Sequence, residues 1–228
     1  LCSSGLQAIV TAAMEIDNGF CDIAVAGGGE SMNNIPYYLR KARRGYRMGH
    51  AELEDGLVTA LSDPITRDHM GITAENIAER YHISREDQDA YALMSQQRAA
   101  KARDEGKFKD EIIPVEVKVS KKETKIFDTD EHIRDNTTLE KLAKLRPAFK
   151  KDGTVTAGNA SGINDCGAAV VLMKEEEAKR RGRKPVVRIV DFAAAGVDPA
   201  YMGIGPVPAV RKLLKKTGLT LDDIGLIE

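Results

Sequence analysis

The strongest candidate for chemistry in this sequence of 228 residues is a cysteine, Cys2, that lies directly before a helical pattern. Apolar residues recur at helical spacing from Gly5 to Asn18, which predicts a helix over that segment. A thiol at a helix N-terminus meets backbone N–H groups and the positive end of the helix dipole, and both favour the nucleophilic thiolate. Spacing alone leaves two interpretations of Cys2 open, a nucleophile and a buried structural cysteine. Cys21 and Cys166 adjoin predicted strand or core positions, so we expect them to be inert.

Two glycine clusters and the histidines are the other candidate features. Gly27–Gly29 and Gly158–Gly162 match neither a dinucleotide loop, a P-loop nor a nucleophile elbow, so we interpret both as tight turns with close backbone approach. His69 precedes a helix predicted from about Thr73, a position that suits ligand contact and a solvated loop equally well. No histidine or cysteine lies at a metal-ligand spacing from another, so we expect no structural zinc.

Composition narrows the class of protein. Lys and Arg number 34 and Asp and Glu 35, and the net charge of -1 argues against a nucleic-acid-binding protein. Hydrophobic residues at 42% and charged residues at 30% are typical of a globular protein, and no apolar run reaches the roughly 18 residues of a membrane span. Three dispersed cysteines favour free thiols in a reducing compartment. We therefore expect a cytoplasmic protein with no nucleic-acid or membrane partner.

The elements that must position Cys2 alternate between helices and strands. After the first helix, Asp22–Ala26 predicts a buried strand that ends at a glycine turn, and this succession is typical of an α/β layer. A capping box at Ser84–Asp87 opens a helix to about Gly106. Further strands are predicted at 113–119, 185–190 and from 224 onward, further helices at 139–145, 174–181 and 208–218, and a core pattern at 154–173. We predict an α/β layer protein with an insertion of roughly 120 residues.

Six motifs, in this order along the chain, resemble the thiolase family. They are Cys2–Ile9, Ala26–Met32, His69–Asn76, Lys144–Phe149, Thr156–Asp165 and Val197–Pro206. The resemblance covers the whole chain and is strongest to the short-chain branch of the family. It implies an α/β protein with the thiolase-like layered αβαβα fold, incomplete in this chain, and an α+β loop-domain insertion. The implied domains are an N-terminal core at 1–32 and 154–182, a loop domain covering coenzyme A at 33–153, and the start of a C-terminal core at 183–228.

The resemblance also implies an activity, the reversible condensation of two acetyl-CoA molecules to acetoacetyl-CoA and coenzyme A, as part of fatty acid metabolism. Cys2 would carry the acyl group as a thioester, which is covalent nucleophilic catalysis. Coenzyme A is then a substrate, and no cofactor is expected. The implied partners are acetyl-CoA, acetoacetyl-CoA, coenzyme A and further copies of the same chain, as a homodimer or homotetramer.

Matching positions imply a coenzyme A site beside Cys2. His69 and Ser161 match residues that contact the pantetheine arm, and Ala157 lies in the same motif as Ser161. Arg134 matches a basic residue near the nucleotide, where a planar cation suits phosphate or adenine.

Apolar residues complete the site that the resemblance implies. Leu57 and Phe149 match walls of the tunnel that holds coenzyme A. Met70 and Met202 match methionines beside the acyl pocket, whose bulk would favour a short acyl group.

Several features of the family do not occur in this sequence. No histidine is followed by proline, so the Gly-His-Pro motif with the catalytic histidine is missing, and Cys166 is not in the glycine-rich context of the family's second cysteine. The family's first strands and its Asn-Glu-x-Phe motif would fall before Leu1 and after Glu228. Lys141 stands where relatives often carry a small polar residue. We therefore expect this segment to be the central part of a thiolase and to be inactive, or nearly so, on its own.

Three alternatives to a short-chain thiolase stay open. They are a longer-chain 3-ketoacyl-CoA thiolase, a ketoacyl or hydroxymethylglutaryl-CoA synthase of the same superfamily, and a non-catalytic module that binds coenzyme A or lipid. The long insertion and the His69-Met70-Gly71 motif favour a thiolase over the synthases. Unusual reactivity of Cys2 toward iodoacetamide would favour catalysis over binding alone.

Overall fold

The computed structural model describes residues 2–228, which fall into two compact units. The first unit contains the chain up to Met70 together with Ile163–Glu228, and the second is Gly71–Gly162. Helices and strands both contribute, as expected of an α/β protein. The first unit carries Cys2, and the second carries Ser161 close to its end.

A helix packed on a two-stranded sheet forms the centre of the first unit. After α1 (Ser4–Asp17), β1 (Ile23–Glu30) pairs antiparallel with β6 (Cys166–Met173) along its whole length. The buried core of this unit is Ala12, Ile16, Ala26 and Leu172. Two of these residues lie four positions apart on α1, which is the spacing that places side chains on one helix face. The helix predicted over the segment after Cys2 is confirmed.

The first strand differs from its prediction in two ways. β1 continues through Gly27–Gly29, where the sequence predicts a turn. A side chain at Gly27 would overlap the backbone oxygen of Ala168, so this glycine allows close approach of two paired strands. The sequence also predicts a buried strand, but Val25 is 72% exposed while Ala26 is buried. Successive side chains of a strand point to opposite faces, and α1 packs on one of them.

Short elements complete the first unit. β2 (Tyr37–Tyr38) pairs antiparallel with β3 (Glu54–Asp55), and α2 (Gly56–Ala60) begins directly after β3. α6 (Glu175–Arg180) follows β6, and α7 (Pro206–Thr217) lies near the end of the chain, so both predicted helices are confirmed. Turns of 3-10 helix lie at Met32–Asn34, Ala42–Arg44, Pro199–Ile204 and Leu221–Asp223.

Two predicted strands, at 185–190 and from 224 onward, are wrong. Neither segment pairs with another strand within residues 2–228, and Val186 and Val187 are almost fully exposed. β-branched residues favour a strand only where they pack against side chains of a paired strand and of the layer beneath the sheet. A segment rich in such residues therefore does not form a strand by composition alone.

The second unit is mainly helical. α3 (Met70–Tyr81) leads into it and starts before its predicted beginning near Thr73. α4 (Arg85–Asp104), an antiparallel pair of β4 (Val115–Lys118) and β5 (Thr124–Phe127), and α5 (Leu139–Ala143) follow. The predicted capping box is confirmed, because Asp87 N donates to Ser84 Oγ at 3.0 Å and Ser84 N donates to Asp87 Oδ2 at 3.4 Å.

The interior of the second unit combines apolar and polar side chains. Its buried residues are Gly71, Thr73, Glu75, Ala78, Asp89, Leu142, Val155 and Thr156. Two of them are carboxylates, and a carboxylate leaves water only where hydrogen bonds replace its hydration. Both carboxylates accept hydrogen bonds from the segment that leads to Ser161.

Candidate functional site

Cys2 lies in the turn that leads into α1, and its side chain is exposed. Ser3 caps α1 without a side-chain hydrogen bond, and the first turn of the helix holds no acidic residue. Within the described part of the chain, no acidic side chain of that turn therefore offsets the positive end of the α1 dipole. This is the position, directly before a helix, for which the sequence analysis predicts a nucleophilic cysteine.

The other two cysteines have different surroundings. Cys21 is half-buried and packs against the core of the first unit, whereas Cys166 is exposed and begins β6 opposite Glu30. All three cysteines are free thiols. Among residues 2–228, only Cys2 adjoins the N-terminus of a helix.

Leu57, His69 and Met70 lie in one hydrogen-bonded segment of the first unit, and all three are half-buried. The carbonyl of Leu57, in the first turn of α2, accepts from Leu61 N at 3.1 Å, and the carbonyl of Leu61 accepts from Met70 N at 2.8 Å. His69 forms an antiparallel bridge with Ser62. Backbone hydrogen bonds thus connect three predicted site residues that lie up to 13 positions apart in the sequence.

A loop closed by a hydrogen bond between Asp63 and Asp68 fixes the position of His69, directly before α3. Asp63 Oδ1 accepts from Ile65 N and Thr66 N, both at 2.7 Å, and Asp63 N donates to the carbonyl of Asp68 at 2.8 Å. The backbone N–H groups of Thr66 and Ile65 hold the pKa of the Asp63 carboxyl below its usual value. The loop therefore keeps a carboxylate at its base and places His69 immediately before the helix.

Phe149 packs on the first turn of α3. Its ring is half-buried and covers Gly71, which is buried, and any side chain at Gly71 would overlap the ring. The position of this apolar side chain is therefore set by a glycine 78 residues earlier in the sequence.

Ala157 and Ser161 are exposed on a loop with a buried anchor. Thr156 is the most deeply buried residue of the second unit. Its hydroxyl accepts from Gly158 N at 3.1 Å and its carbonyl accepts from Ala160 N at 3.0 Å. This internal turn presents both predicted site residues to solvent from a fixed base.

Two buried carboxylates that the sequence analysis missed hold this loop in place. Glu75 accepts hydrogen bonds from the backbone of Thr154 and Val155, and Asp89 accepts one from the Asn159 carboxamide. The sequence contains a signal for the first of them. Glu75 lies four residues after a buried glycine and three before a buried alanine, so it is an acid inside the buried stripe of α3.

Arg134 is exposed and lines an open depression of about 510 Å³ beside α4. Its backbone N–H donates to Gln96 Oε1 at 2.8 Å. The neighbouring Arg103 donates to Asp135 Oδ1 at 2.8 Å, which lowers the pKa of the Asp135 carboxyl and raises that of the Arg103 guanidinium. A planar cation and side-chain amides together can contact a phosphate or a nucleobase.

Met202 lies in the 3-10 helix at Pro199–Ile204 and is 40% exposed. Asp198 caps that helix by accepting from Ala200 N at 2.9 Å.

The predicted site residues of the first unit are Cys2, Leu57, His69, Met70 and Met202, and those of the second are Arg134, Phe149, Ala157 and Ser161. Backbone hydrogen bonds connect Leu57 with His69 and Met70. Phe149 and the loop of Ser161 both contact α3, at Gly71 and Glu75 respectively. Cys2, Met202 and Arg134 each lie on a separate segment.

Within residues 2–228, no helix has the length and apolar character needed to cross a membrane. In the same range, no three or more His, Cys, Asp or Glu side chains converge on a position that could hold a metal ion.

Comparison with protein families matches nearly the whole chain. Residues 1–176 match the profile described as "Thiolase, N-terminal domain", and residues 183–228 match "Thiolase, C-terminal domain".

Individual relatives are similar over the full chain. The beta-ketothiolase BktB of Cupriavidus necator is 54% identical, and the acetyl-CoA acetyltransferase of Pseudomonas aeruginosa is 52% identical. In both alignments the chain is covered completely and spans 58% of the relative.

Solved structures agree with the fold. The acetyl-CoA acetyltransferase of Bacillus anthracis superimposes with a TM-score of 0.95 at 52% identity, covering 99% of this chain and 57% of that one. Human mitochondrial 3-ketoacyl-CoA thiolase in complex with CoA superimposes with a TM-score of 0.93 at 48% identity, covering 99% of this chain and 56% of that one.

Proposed function

Because the chain belongs to the thiolase family, we propose that it forms the nucleophile-bearing and coenzyme-A-binding part of an acetyl-CoA C-acetyltransferase. The observation that carries this proposal is the exposed Cys2 thiol at the N-terminus of α1, where no acidic side chain of the first turn offsets the helix dipole. Relatives named acetyl-CoA acetyltransferase, about half identical to this chain, support the choice of acyl group.

The proposed reaction proceeds through an acetyl group on Cys2. In the direction of cleavage, the Cys2 thiolate attacks the 3-keto carbon of acetoacetyl-CoA, the bond between C2 and C3 breaks, and the departing acetyl-CoA carbanion takes up a proton. The acetyl thioester then reacts with the thiolate of free coenzyme A, which releases a second acetyl-CoA and regenerates Cys2. Condensation is the same sequence in reverse.

The other site residues would bind and orient coenzyme A, which acts as a substrate. We assign the pantetheine arm to His69, Ala157 and Ser161, and the nucleotide to Arg134. The last assignment is supported by the depression beside α4, where Arg134 and neighbouring amides can contact phosphate or adenine.

Apolar residues would enclose the thioester end of the ligand. We assign the walls of the tunnel to Leu57 and Phe149, and a limit on acyl length to Met70 and Met202. The support of the Phe149 ring by Gly71 favours a fixed wall at that point.

A longer-chain 3-ketoacyl-CoA thiolase is the second candidate. Its support is the likeness to human mitochondrial 3-ketoacyl-CoA thiolase, at 48% identity and a TM-score of 0.94. Cleavage rates for 3-ketoacyl-CoA substrates of increasing chain length separate the two candidates. A maximum at acetoacetyl-CoA supports the first, and a maximum at a longer chain supports the second.

The acyl-enzyme is the direct test of the proposed function. The complete protein that carries this chain is mixed with acetoacetyl-CoA, quenched in acid and digested, and the peptides are analysed by mass spectrometry. We expect an acetyl group on Cys2, its loss in Cys2→Ser, and its retention in the control Cys21→Ser.

Two results would contradict this proposal. The first is an unmodified Cys2 in protein that binds coenzyme A, together with iodoacetamide alkylation of Cys2 no faster than that of Cys166, which would indicate a module that only binds. The second is normal turnover by Cys2→Ser.

A further inference from the structure

Glu75 is a charged side chain deep in the second unit, with a relative exposure of 4%. Its Oε1 accepts from Thr154 N at 2.9 Å and Val155 N at 2.8 Å, and its Oε2 accepts from Thr154 N at 2.9 Å and Thr154 Oγ1 at 3.0 Å. Hydrogen bonds to an ionised acceptor are shorter and stronger than neutral ones. Glu75 therefore binds the chain directly before the loop that carries Ala157 and Ser161.

A second anchor holds the same loop from α4. Asn159 Nδ2 donates to Asp89 Oδ1 and to the carbonyl of Thr154, each at 3.0 Å, and Asn159 Oδ1 accepts from Thr156 N at 2.7 Å. Asp89, itself 4% exposed, is held in turn by Arg85 Nε at 2.8 Å. With both ends of the 154–159 segment fixed, the loop has little freedom to shift.

The Phe149 ring packs on the same face of α3 that carries Glu75. We call the Glu75 carboxylate and the hydrogen bonds that it accepts from Thr154 and Val155 the Glu75 clamp. Gly71, which the ring covers, and Glu75 are four residues apart on α3, the spacing that aligns two positions on a helix face. The packing around the carboxylate is tight, because a side chain at Gly153 would overlap it. α3 thus sets the distance between the Phe149 ring and the base of the Ser161 loop.

We propose that Glu75 is a positioning residue for the pantetheine arm of coenzyme A. It fixes the loop of Ala157 and Ser161 relative to Phe149, and so governs the affinity for coenzyme A while leaving the chemistry at Cys2 unchanged. The inference rests on the proposed function, which assigns the pantetheine arm to this loop. Glutamine cannot replace the carboxylate, because its single acceptor oxygen cannot receive the N–H groups of both residues and the Thr154 hydroxyl at once.

The test compares Glu75→Gln with Glu79→Gln in the complete protein. Glu79 lies one turn further along α3 and pairs with Lys150 at 3.1 Å on the surface, so it is a control of the same chemistry and helix. In acetoacetyl-CoA cleavage we expect Glu75→Gln to raise the KM for coenzyme A about tenfold or more, which is the weight of one hydrogen bond to a charged group. We expect kcat and the rate of iodoacetamide alkylation at Cys2 to stay within about twofold, because lost uniform binding raises KM alone. Glu79→Gln should behave as wild type.

The other possible results of this test also decide whether Glu75 positions the loop. An unchanged KM in folded Glu75→Gln overturns the proposal, and so does an equal loss of kcat and alkylation rate, which would show a general structural role. If Glu75→Gln does not fold, Thr154→Val removes one donor from the clamp, and we expect the KM for coenzyme A to rise about threefold, the weight of one hydrogen bond. An unchanged KM in that variant overturns the proposal.

Failure of the proposed function is distinguishable from failure of this inference. If the wild-type protein transfers no acetyl group, the acetyltransferase proposal fails, and calorimetric titration with coenzyme A then tests Glu75 without turnover. A weaker affinity of Glu75→Gln relative to Glu79→Gln supports the positioning role, and equal affinities overturn it.

Discussion

At the residue scale, a single methyl group decides whether the Phe149 ring can stay where it is. Gly71→Ala would place a Cβ inside the ring, and overpacking of this kind costs about 1–3 kcal/mol. We therefore expect Gly71→Ala to lower the free energy of unfolding of the protein by about that amount, measured by chemical denaturation.

Gly5→Ala is the control for that change. Gly5 is the second residue of α1, as Gly71 is of α3, but a Cβ there meets no atom within 4 Å. Alanine has the higher helix propensity, so Gly5→Ala should not destabilise the protein. Equal effects of the two substitutions would show that the ring moves aside at no cost.

Single residues also mark the limit of the sequence analysis. The position of Cys2 before α1 could be predicted because it depends on a local pattern, a cysteine followed by apolar residues at helical spacing. Glu75 was missed because its role depends on Thr154, whose backbone reaches it only in the folded chain. Because the partners of Glu75 are backbone N–H groups, no basic residue elsewhere in the sequence indicates that this acid is paired.

At the scale of elements, α4 and α5 are joined by one arginine. Arg85 donates to the carbonyls of Leu142 at 2.6 Å and Leu145 at 3.1 Å, and to the buried carboxylate of Asp89. Arg85→Ala would leave that carboxylate without its cation, which costs about 3–5 kcal/mol. We expect unfolding of the protein to shift to lower denaturant concentration by a corresponding amount.

The control is another arginine of the same helix. Arg98 is exposed on α4, and surface substitutions stay within about 0.5 kcal/mol. A comparable loss in Arg98→Ala would attribute the effect to the helix in general and contradict a specific role of Arg85.

The helices could be predicted from the sequence, and so could the strands at 22–26 and 113–119, which form β1 and β4, but the strands predicted at 185–190 and from 224 onward do not form. The capping box at Ser84–Asp87 and the spacing in α1 are local signals, and both helices form. The segment at 185–190 has the composition of a strand but pairs with none among the described residues. The sequence predicts a turn at Gly27 because it does not show how closely the backbone of Ala168 approaches in the paired strand.

At the scale of the whole molecule, ion pairs on the surface make the free energy of unfolding depend on pH. Hydrogen bonds from Arg40 and then Thr59 lower the pKa of Glu54 to about 2, and those from Arg180 and then Arg181 lower the pKa of Glu177 to about 2. Because the unfolded chain binds protons at these carboxyls more readily, their contribution is present above about pH 4.5 and is lost as the pH falls toward 2.

We expect the thermal midpoint to fall between pH 5 and pH 3 and the fall to be smaller at high salt, since exposed pairs are screened. Replacing both Glu54 and Glu177 by glutamine should flatten the same pH profile. An equally steep profile in the double variant would assign the acid sensitivity to other carboxyls.

The clamp on α3 also has a consequence for biosynthesis. Glu75 and Thr154 are 79 residues apart, and a ribosome adds about 5–20 residues per second, so roughly 4–16 s separate the appearance of the acid from that of its partners. During that interval the nascent helix cannot bury Glu75 against the rest of its unit, because a desolvated carboxylate without donors is unstable. The second unit can therefore finish folding only after the segment around Thr154 has emerged from the ribosome.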